Sequence, residues 1–388
     1  MIAPGRTGIE RRISVKGIEK DIEYFLKRGI DKFAFFIPYL NYLATKEEKR
    51  MKKEAILYKT LKGKETQCLN CAHYCVLQEN QTGICGTRKN IGGKIFSLNY
   101  GKICALGIDP IEKKPLFHFL PGSSILSLAS VGCNFSCASC QNWQISQISE
   151  MDEIFGEEFT PQEIVNIACQ KNLKSIAYTY TEPTVFSDFA LETMKLAKEK
   201  GIKNVWVSNG FWSKELFETI SPFLDAANID LKSFEDEFYI RYCGARLQPV
   251  LDTLKRIVSK KIWLEITTLV IPTLNDKEEI FKEIAHFIKK ELKPEIPWHI
   301  TRFSGALSWK LKNLPDTPPK TLLLAREIGL KEGLKYVYTG NIPGLEGEDT
   351  FCPKCGAKII ERFGYNIKRY DKQGKCPKCG TKIDLILE

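Results

Sequence analysis

From residue 125 onward the chain alternates short, almost wholly apolar runs with longer amphipathic stretches. The runs lie at 125–131, 175–180, 204–208, 227–231, 263–270 and 298–303. Continuous apolar runs of that length are what strands buried on both faces show. The stretches between them, at 161–171, 187–200, 213–224, 249–260 and 276–290, read as helices with one face against a sheet. Thr160-Pro161 and Thr317-Pro318 look like cap-plus-proline helix starts. Repeated strand–helix units predict an α/β fold with a parallel sheet inside and helices outside. Six units fit a partial (β/α)6 TIM-type barrel, whose chemistry sits at the C-terminal strand ends.

Around that rhythm the chain divides into a helical, lysine-rich N-terminal extension (1–64), a Cys-rich N-terminal region (65–122), the barrel (123–344) and a tail (345–388). In the Cys-rich region short strands are expected near 94–100 and 103–106. The apolar patch at 33–44 is broken by Pro38 and Asn41 and falls far short of the ~20 residues that span a bilayer. The charged start has no secretory pattern, so a soluble, cytoplasmic protein is expected. The net charge of +10 is carried mainly by dispersed lysines. It reads as a solvated Lys/Glu-rich surface of the thermophilic kind; no arginine or aromatic–basic stripe points to nucleic acid.

The 14 cysteines change the picture. Structural disulfides are rare in the cytosol, and 11 of these cysteines fall in three spaced clusters, the pattern of metal sites. Cys104, Cys169 and Cys243 are scattered and read as small core residues. Cys133, Cys137 and Cys140 form a C-x3-C-x2-C triplet directly after the first barrel strand. No further Cys or His follows within 25 residues, which disfavours a zinc knuckle. Three thiolates suit a 4Fe–4S cluster with one iron left for a substrate or cofactor.

Cys68, Cys71, Cys75 and Cys85 follow a C-x2-C-x3-C-x9-C spacing, with His73 as a substitute ligand. Such a set holds structural zinc or an auxiliary Fe–S cluster; its completeness favours a closed, structural site, with electron relay the alternative. Cys352, Cys355, Cys376 and Cys379 form two Cys-Pro-Lys-Cys-Gly knuckles 20 residues apart, the mark of a zinc ribbon, with rubredoxin-like iron as the alternative.

The triplet resembles the signature of the radical S-adenosylmethionine (radical SAM) superfamily. That resemblance implies that SAM chelates the unique iron through its amino and carboxylate groups. The reduced cluster then cleaves it to methionine and a 5′-deoxyadenosyl radical, which abstracts hydrogen. The aromatic residue usual before the third cysteine is Ser139 here, leaving Phe135 or Trp143 to pack on adenine. Tyr178-Thr-Tyr-Thr-Glu-Pro-Thr184 resembles the superfamily's Gly-Gly-Glu element, with Glu182 accepting from the SAM ammonium or simply capping the next helix. Val207-Ser-Asn-Gly-Phe211 resembles the ribose-contacting turn of glycyl-radical-enzyme activases, through Asn209, or is a helix-start turn. In Ile229-Asp-Leu-Lys-Ser233, Asp230 and Lys232 share one strand face, and the lysine suits the SAM carboxylate. His299 is either a SAM or substrate contact or a hydrogen-bonded core histidine.

A closer likeness covers residues 65–388. The Cys-x-x-Cys-x-His-x-Cys and Gly-x-Cys-Gly pattern, the string Ile-Glu-Lys-Lys-Pro-Leu-Phe-His-Phe-Leu-Pro-Gly-Ser at 111–123, Cys-Gln-Asn-Trp, Ile-Asp-Leu-Lys and Tyr-Thr-Gly-Asn resemble the radical SAM enzyme of the AmmeMemoRadiSam system. This family is similar to pyruvate formate-lyase activating enzymes. The likeness implies an oxidoreductase-like enzyme with Memo-like and AMMECR-like partners, supplied with electrons by ferredoxin or flavodoxin. The expected reaction is hydrogen abstraction from a protein or peptide. The alternatives are the same radical step on a small molecule or lipid, or a non-catalytic, metal-stabilised RNA- or protein-binding module.

Overall fold

The computed structural model describes residues 53–148, 154–342 and 346–388. Its main sheet has eight strands: β1 (Ala105–Pro110), β2 (Ser124–Ala129), β3 (Ser175–Tyr178), β4 (Lys203–Ser208), β5 (Ala226–Asp230), β6 (Trp263–Val270), β7 (Trp298–Arg302) and β8 (Val337–Gly340). They lie side by side in chain order, with β1 and β8 at the edges. Strands β2 to β8 pair in parallel, and β1 runs antiparallel to β2.

All six expected runs became β2 to β7. A seventh parallel strand, β8, was not foreseen, because Thr339 and Gly340 make up half of its four residues and leave no apolar run. The helices are α1 (Pro161–Gln170), α2 (Ser187–Glu199), α3 (Lys214–Ile220), α4 (Asp236–Cys243), α5 (Gln248–Ser259), α6 (Glu278–Phe287) and α7 (Pro319–Glu332).

Thr160 begins α1 through a capping box, accepting from Glu163 N while the Glu163 carboxylate accepts from Thr160 N at 2.7 Å. Thr317 does something else. Its hydroxyl donates to Val270 O and accepts from Phe303 N, fastening the ends of β6 and β7, while α7 starts behind Pro318 without a side-chain cap. Helix α5 shows why these segments pack as they do: Val250, Leu251, Leu254 and Ile257 fall on one face and are buried.

The helical extension expected over 1–64 lies mostly outside the described residues. Where it is described, it is not helical: Lys53–Glu54 and Tyr58–Thr60 are strands, the second paired with Thr66–Cys68 across a turn that holds Gly63 at φ 67°. Long-range pairing has overridden a lysine-rich helical composition.

The string at 111–123 closes the barrel at the N-terminal ends of the strands. Glu265, fully buried on β6, accepts from Phe117 N (2.9 Å), His118 N (2.8 Å) and Trp263 Nε1 (3.1 Å). Asn228 of β5 donates to Pro115 O at 2.8 Å. The tail seals the plug from outside: Arg362 donates to Phe117 O (2.8 Å), and Leu120 and His118 exchange backbone bonds with Ile386.

At the centre of this joint His118 is fully buried. Its Nδ1–H donates to Asp384 O (2.6 Å), because a carbonyl can only accept, and its Nε2 accepts from Tyr338 OH (2.5 Å). The second bond needs a neutral ring, because a protonated Nε2 cannot accept, and burial pushes the imidazole down to about 4, with the nearby Glu265 carboxylate partly opposing. The unfolded chain, titrating near 6.5, binds a proton that the fold refuses. Stability should therefore fall as pH drops from about 6.5 to 4, by about 3 kcal/mol from this residue. Denaturant unfolding at pH 7 and pH 4.5 checks this: His118→Gln should lose less stability on acidification than the parent, and an equal loss in both would refute it.

Candidate active site

The triplet follows β2 at the C-terminal mouth of the barrel. Gly132, just before it, sits at φ 108°, and a Cβ there would stand 2.6 Å from Thr87 Cγ2 and 3.1 Å from Cys85 O. Only glycine lets the triplet loop lie this close to the N-terminal cysteine segment. The loop is then pinned by backbone bonds. Ser136 N and Ala138 N donate to the carbonyls of Cys243 and Tyr242 at the end of α4, and Trp309 N and Lys310 N donate to Cys140 O and Ala138 O.

The three thiols differ in surroundings. Burial pushes Cys133 up, and the Glu182 charge adds to this. Burial also raises Cys140, whose sulfur lies 3.3 Å from Ser146 Oγ. Cys137 is lowered, first by a hydrogen bond from the Cys243 thiol and also by the Lys232 charge. Cys243 is indeed a core residue, as expected, yet it also touches the triplet. No spacing in the sequence marks that contact, because β3 to β5 and α1 to α3 lie between the triplet and α4, which ends on Cys243.

The structure brings four of the five proposed SAM-binding residues to this mouth. Glu182 accepts from Ser208 Oγ (2.8 Å), Asn209 N (2.9 Å), Thr184 Oγ1 (3.1 Å) and Thr184 N (3.2 Å), and it is buried. It thus does cap the turn Pro183–Phe186, and it also fixes the start of the Asn209 turn. Asn209 Nδ2 donates to Asn134 Oδ1 (2.7 Å) and lies 4.0 Å from Cys133 Sγ. Lys232 Nζ is 2.8 Å from Asp230 Oδ2. Burial pulls the lysine down, but the Asp230 carboxylate and the neighbouring thiols outweigh it, so it stays charged.

His299 is not part of this group. It is the second residue of β7 and donates from Nε2 to Glu265 Oε2 (2.6 Å), stacked on Tyr338 at the plugged end. The structural alternative for this histidine is the one the fold uses. Phe135 is likewise core, packed on Phe211 and Tyr239. Trp143 is half-buried at the start of the one-turn helix Trp143–Ser146. Trp309, which sequence reading passed over, reaches the triplet through its backbone.

The other two cysteine sets are geometrically distinct. Among the described residues, Cys352, Cys355, Cys376 and Cys379 are the one group of three or more ligand-type side chains whose donor atoms all lie within 4.8 Å of one another. Cys352–Cys379 and Cys355–Cys376 are each 3.6 Å apart. The Thr381 hydroxyl and N–H hold the Cys379 thiol down at about 6. Cys68, Cys71, Cys75 and Cys85 instead line one cavity.

Comparison with known proteins gives the family of the segment that carries this mouth. A model of the radical SAM superfamily matches residues 128–288. The chain is 46% identical over 338 residues to an uncharacterized protein of Methanocaldococcus jannaschii, covering 86% of this chain and 100% of that one. It is 24% identical over 202 residues to the pyruvate formate-lyase-activating enzyme of Clostridium pasteurianum, covering 47% and 80%. Among solved structures, a domain of the pyruvate-formate lyase-activating enzyme from Bacteroides vulgatus aligns at 17% identity and TM-score 0.38, over 42% of this chain and 98% of that one. The matched segment begins inside β2, spans the triplet and runs to the end of α6, and the chain belongs to the radical SAM superfamily.

Proposed function

We propose that this chain is a SAM-cleaving radical enzyme that abstracts a hydrogen atom from a protein or peptide. The observation that carries the reading is the gathering of Glu182, Asn209, Asp230 and Lys232 around Cys133, Cys137 and Cys140. The three thiols would hold a 4Fe–4S cluster. Together with SAM, that cluster supplies reductive C–S cleavage and a 5′-deoxyadenosyl radical. Lys232, charged and braced by Asp230, is the residue for the SAM carboxylate. Asn209 is the ribose contact. Glu182, with four donors already on its carboxylate, acts by fixing the Asn209 turn. Trp143 and Trp309 are the aromatic candidates for adenine in place of Ser139.

A macromolecular substrate is favoured by the similarity to a pyruvate formate-lyase-activating enzyme. It is also favoured by the mouth itself, where the half-buried thiols are flanked by exposed Ser136, Gln141 and Asn142. The string at 111–123 carries the likeness to the AmmeMemoRadiSam enzyme, and with it the Memo-like and AMMECR-like partners. Those residues build the plug, so they speak to architecture more than to substrate. A ferredoxin- or flavodoxin-type reductant completes the reading, with zinc in the ribbon, where sulfurs 3.6 Å apart suit one tetrahedral ion.

Anaerobically reconstituted protein with dithionite should turn SAM into 5′-deoxyadenosine and methionine. Deuterium from a labelled peptide substrate should appear in the 5′-deoxyadenosine. No 5′-deoxyadenosine from fully loaded protein, across several reductants, would overturn the radical reading. Transfer from a labelled small molecule or lipid instead would overturn the peptide substrate alone.

A further inference from the structure

The N-terminal cysteines were left between zinc and iron–sulfur by their spacing, and the geometry separates these readings. Zinc–thiolate bonds are about 2.3 Å, so two sulfurs on one tetrahedral zinc stand about 3.8 Å apart and never beyond ~4.6 Å. Two ribbon pairs stand 3.6 Å apart, and all four ribbon sulfurs lie within 4.8 Å of one another. Cys68, Cys71, Cys75 and Cys85 do not: among the described residues, the ribbon is the one set whose ligand atoms all fall within 4.8 Å of one another. These four surround a cavity instead. Cys85 Sγ lies 3.3 Å from Thr87 Oγ1.

A second observation points to what fills the space. Among the buried polar atoms that find no partner among the described residues are two donors of residues lining this same cavity, Arg88 Nε and Asn134 Nδ2. Arg88 is 2% exposed and Asn134 1% exposed. A buried N–H without an acceptor is costly, and sulfide or thiolate sulfur would supply one. The Arg88 charge, only partly spent on Asp188, also offsets an anionic occupant.

We propose that Cys68, Cys71, Cys75 and Cys85 hold a second, fully thiolate-ligated iron–sulfur cluster rather than a zinc ion. This centre is next to the triplet: His73 Nε2 donates to Asn134 O at 2.8 Å, and Asn134 follows Cys133. That placement suits one-electron exchange between the two sites, driven by an external low-potential reductant, with no bond made or broken in the protein. The proposal stands apart from the reading of the triplet, and the test separates them.

The combined variant Cys133→Ala/Cys137→Ala/Cys140→Ala should be purified and reconstituted anaerobically. Iron, acid-labile sulfide and zinc are then measured, with electron paramagnetic resonance after dithionite reduction. The expected result is about two to four irons per chain with matching sulfide, a reduced-cluster signal, and zinc for the ribbon alone. No iron, with or without a second zinc, overturns the proposal. Should that variant not fold, Cys71→Ser in the otherwise intact chain gives the same reading. A fall in iron and sulfide to the triplet's share, with the SAM-dependent change in its spectrum kept, supports the second cluster. Unchanged iron with loss of one zinc refutes it.

Discussion

Replacing any one of Cys133, Cys137 or Cys140 by alanine should reduce 5′-deoxyadenosine formation to the level of a no-protein control, a loss of at least ~10³-fold. The fold should survive. The triplet loop is held by backbone bonds from Ser136, Ala138, Trp309 and Lys310, none of which uses a cysteine side chain. Loss of one thiol therefore removes a ligand without releasing the loop, and the thermal midpoint of the protein should stay near that of the parent. Cys169→Ala is the matched control, because this cysteine on α1, expected in the core, is exposed and belongs to no cluster. The measurement is 5′-deoxyadenosine by chromatography, beside iron content and a melting curve on the same samples. Activity retained in any single triplet variant would mean that those thiols are not the ligands of the reacting centre.

The sequence made the barrel legible because parallel strands buried on both faces must be apolar throughout, and runs of that kind survive without tertiary information. The cysteine sets were legible for a related reason: ligand spacing is a local property. What escaped were features that depend on partners far along the chain. The short strand β8 exists because β7 lies beside it. Glu182 has the right type and place for a SAM ammonium, and the sequence does not show that Ser208 and Asn209, from the next strand end, also bond its carboxylate. His299 has the right type, but its position on β7 puts it near the N-terminal end, where Glu265 claims it. Thr317 has the look of a helix cap and instead ties two strand ends. The tail, which reads as a separate ribbon, is joined to the barrel through Arg362, Asp384 and Ile386. In each case the residue type was read correctly, and a long-range hydrogen bond decided its use.

The plugged end carries the largest expected effect on stability. The Glu265 carboxylate receives four N–H groups, from Phe117, His118, Trp263 and His299, with no exposure to water. Burial alone would raise its pKa, but the His299 hydrogen bond and the surrounding donors outweigh this and keep it low, so the group is an anion in the fold. Glu265→Ala strands all four donors and leaves the string at 117–118 without its anchor. Removing one side of such a buried arrangement costs about 3–5 kcal/mol. Glu265→Gln should cost less, since the amide oxygen still accepts, although its NH2 must face a donor that the carboxylate satisfied. Urea unfolding of the three proteins at pH 7 checks the order parent, Gln, Ala. The active mouth lies at the other end of the strands, so SAM cleavage per folded molecule should hardly change below the unfolding transition. A loss under about 1 kcal/mol for Glu265→Ala would show that the plug is not what closes the barrel. Normal stability with abolished SAM cleavage would place the working end of the sheet where Glu265 and His299 meet, and the assignment of the mouth to the triplet would have to be given up.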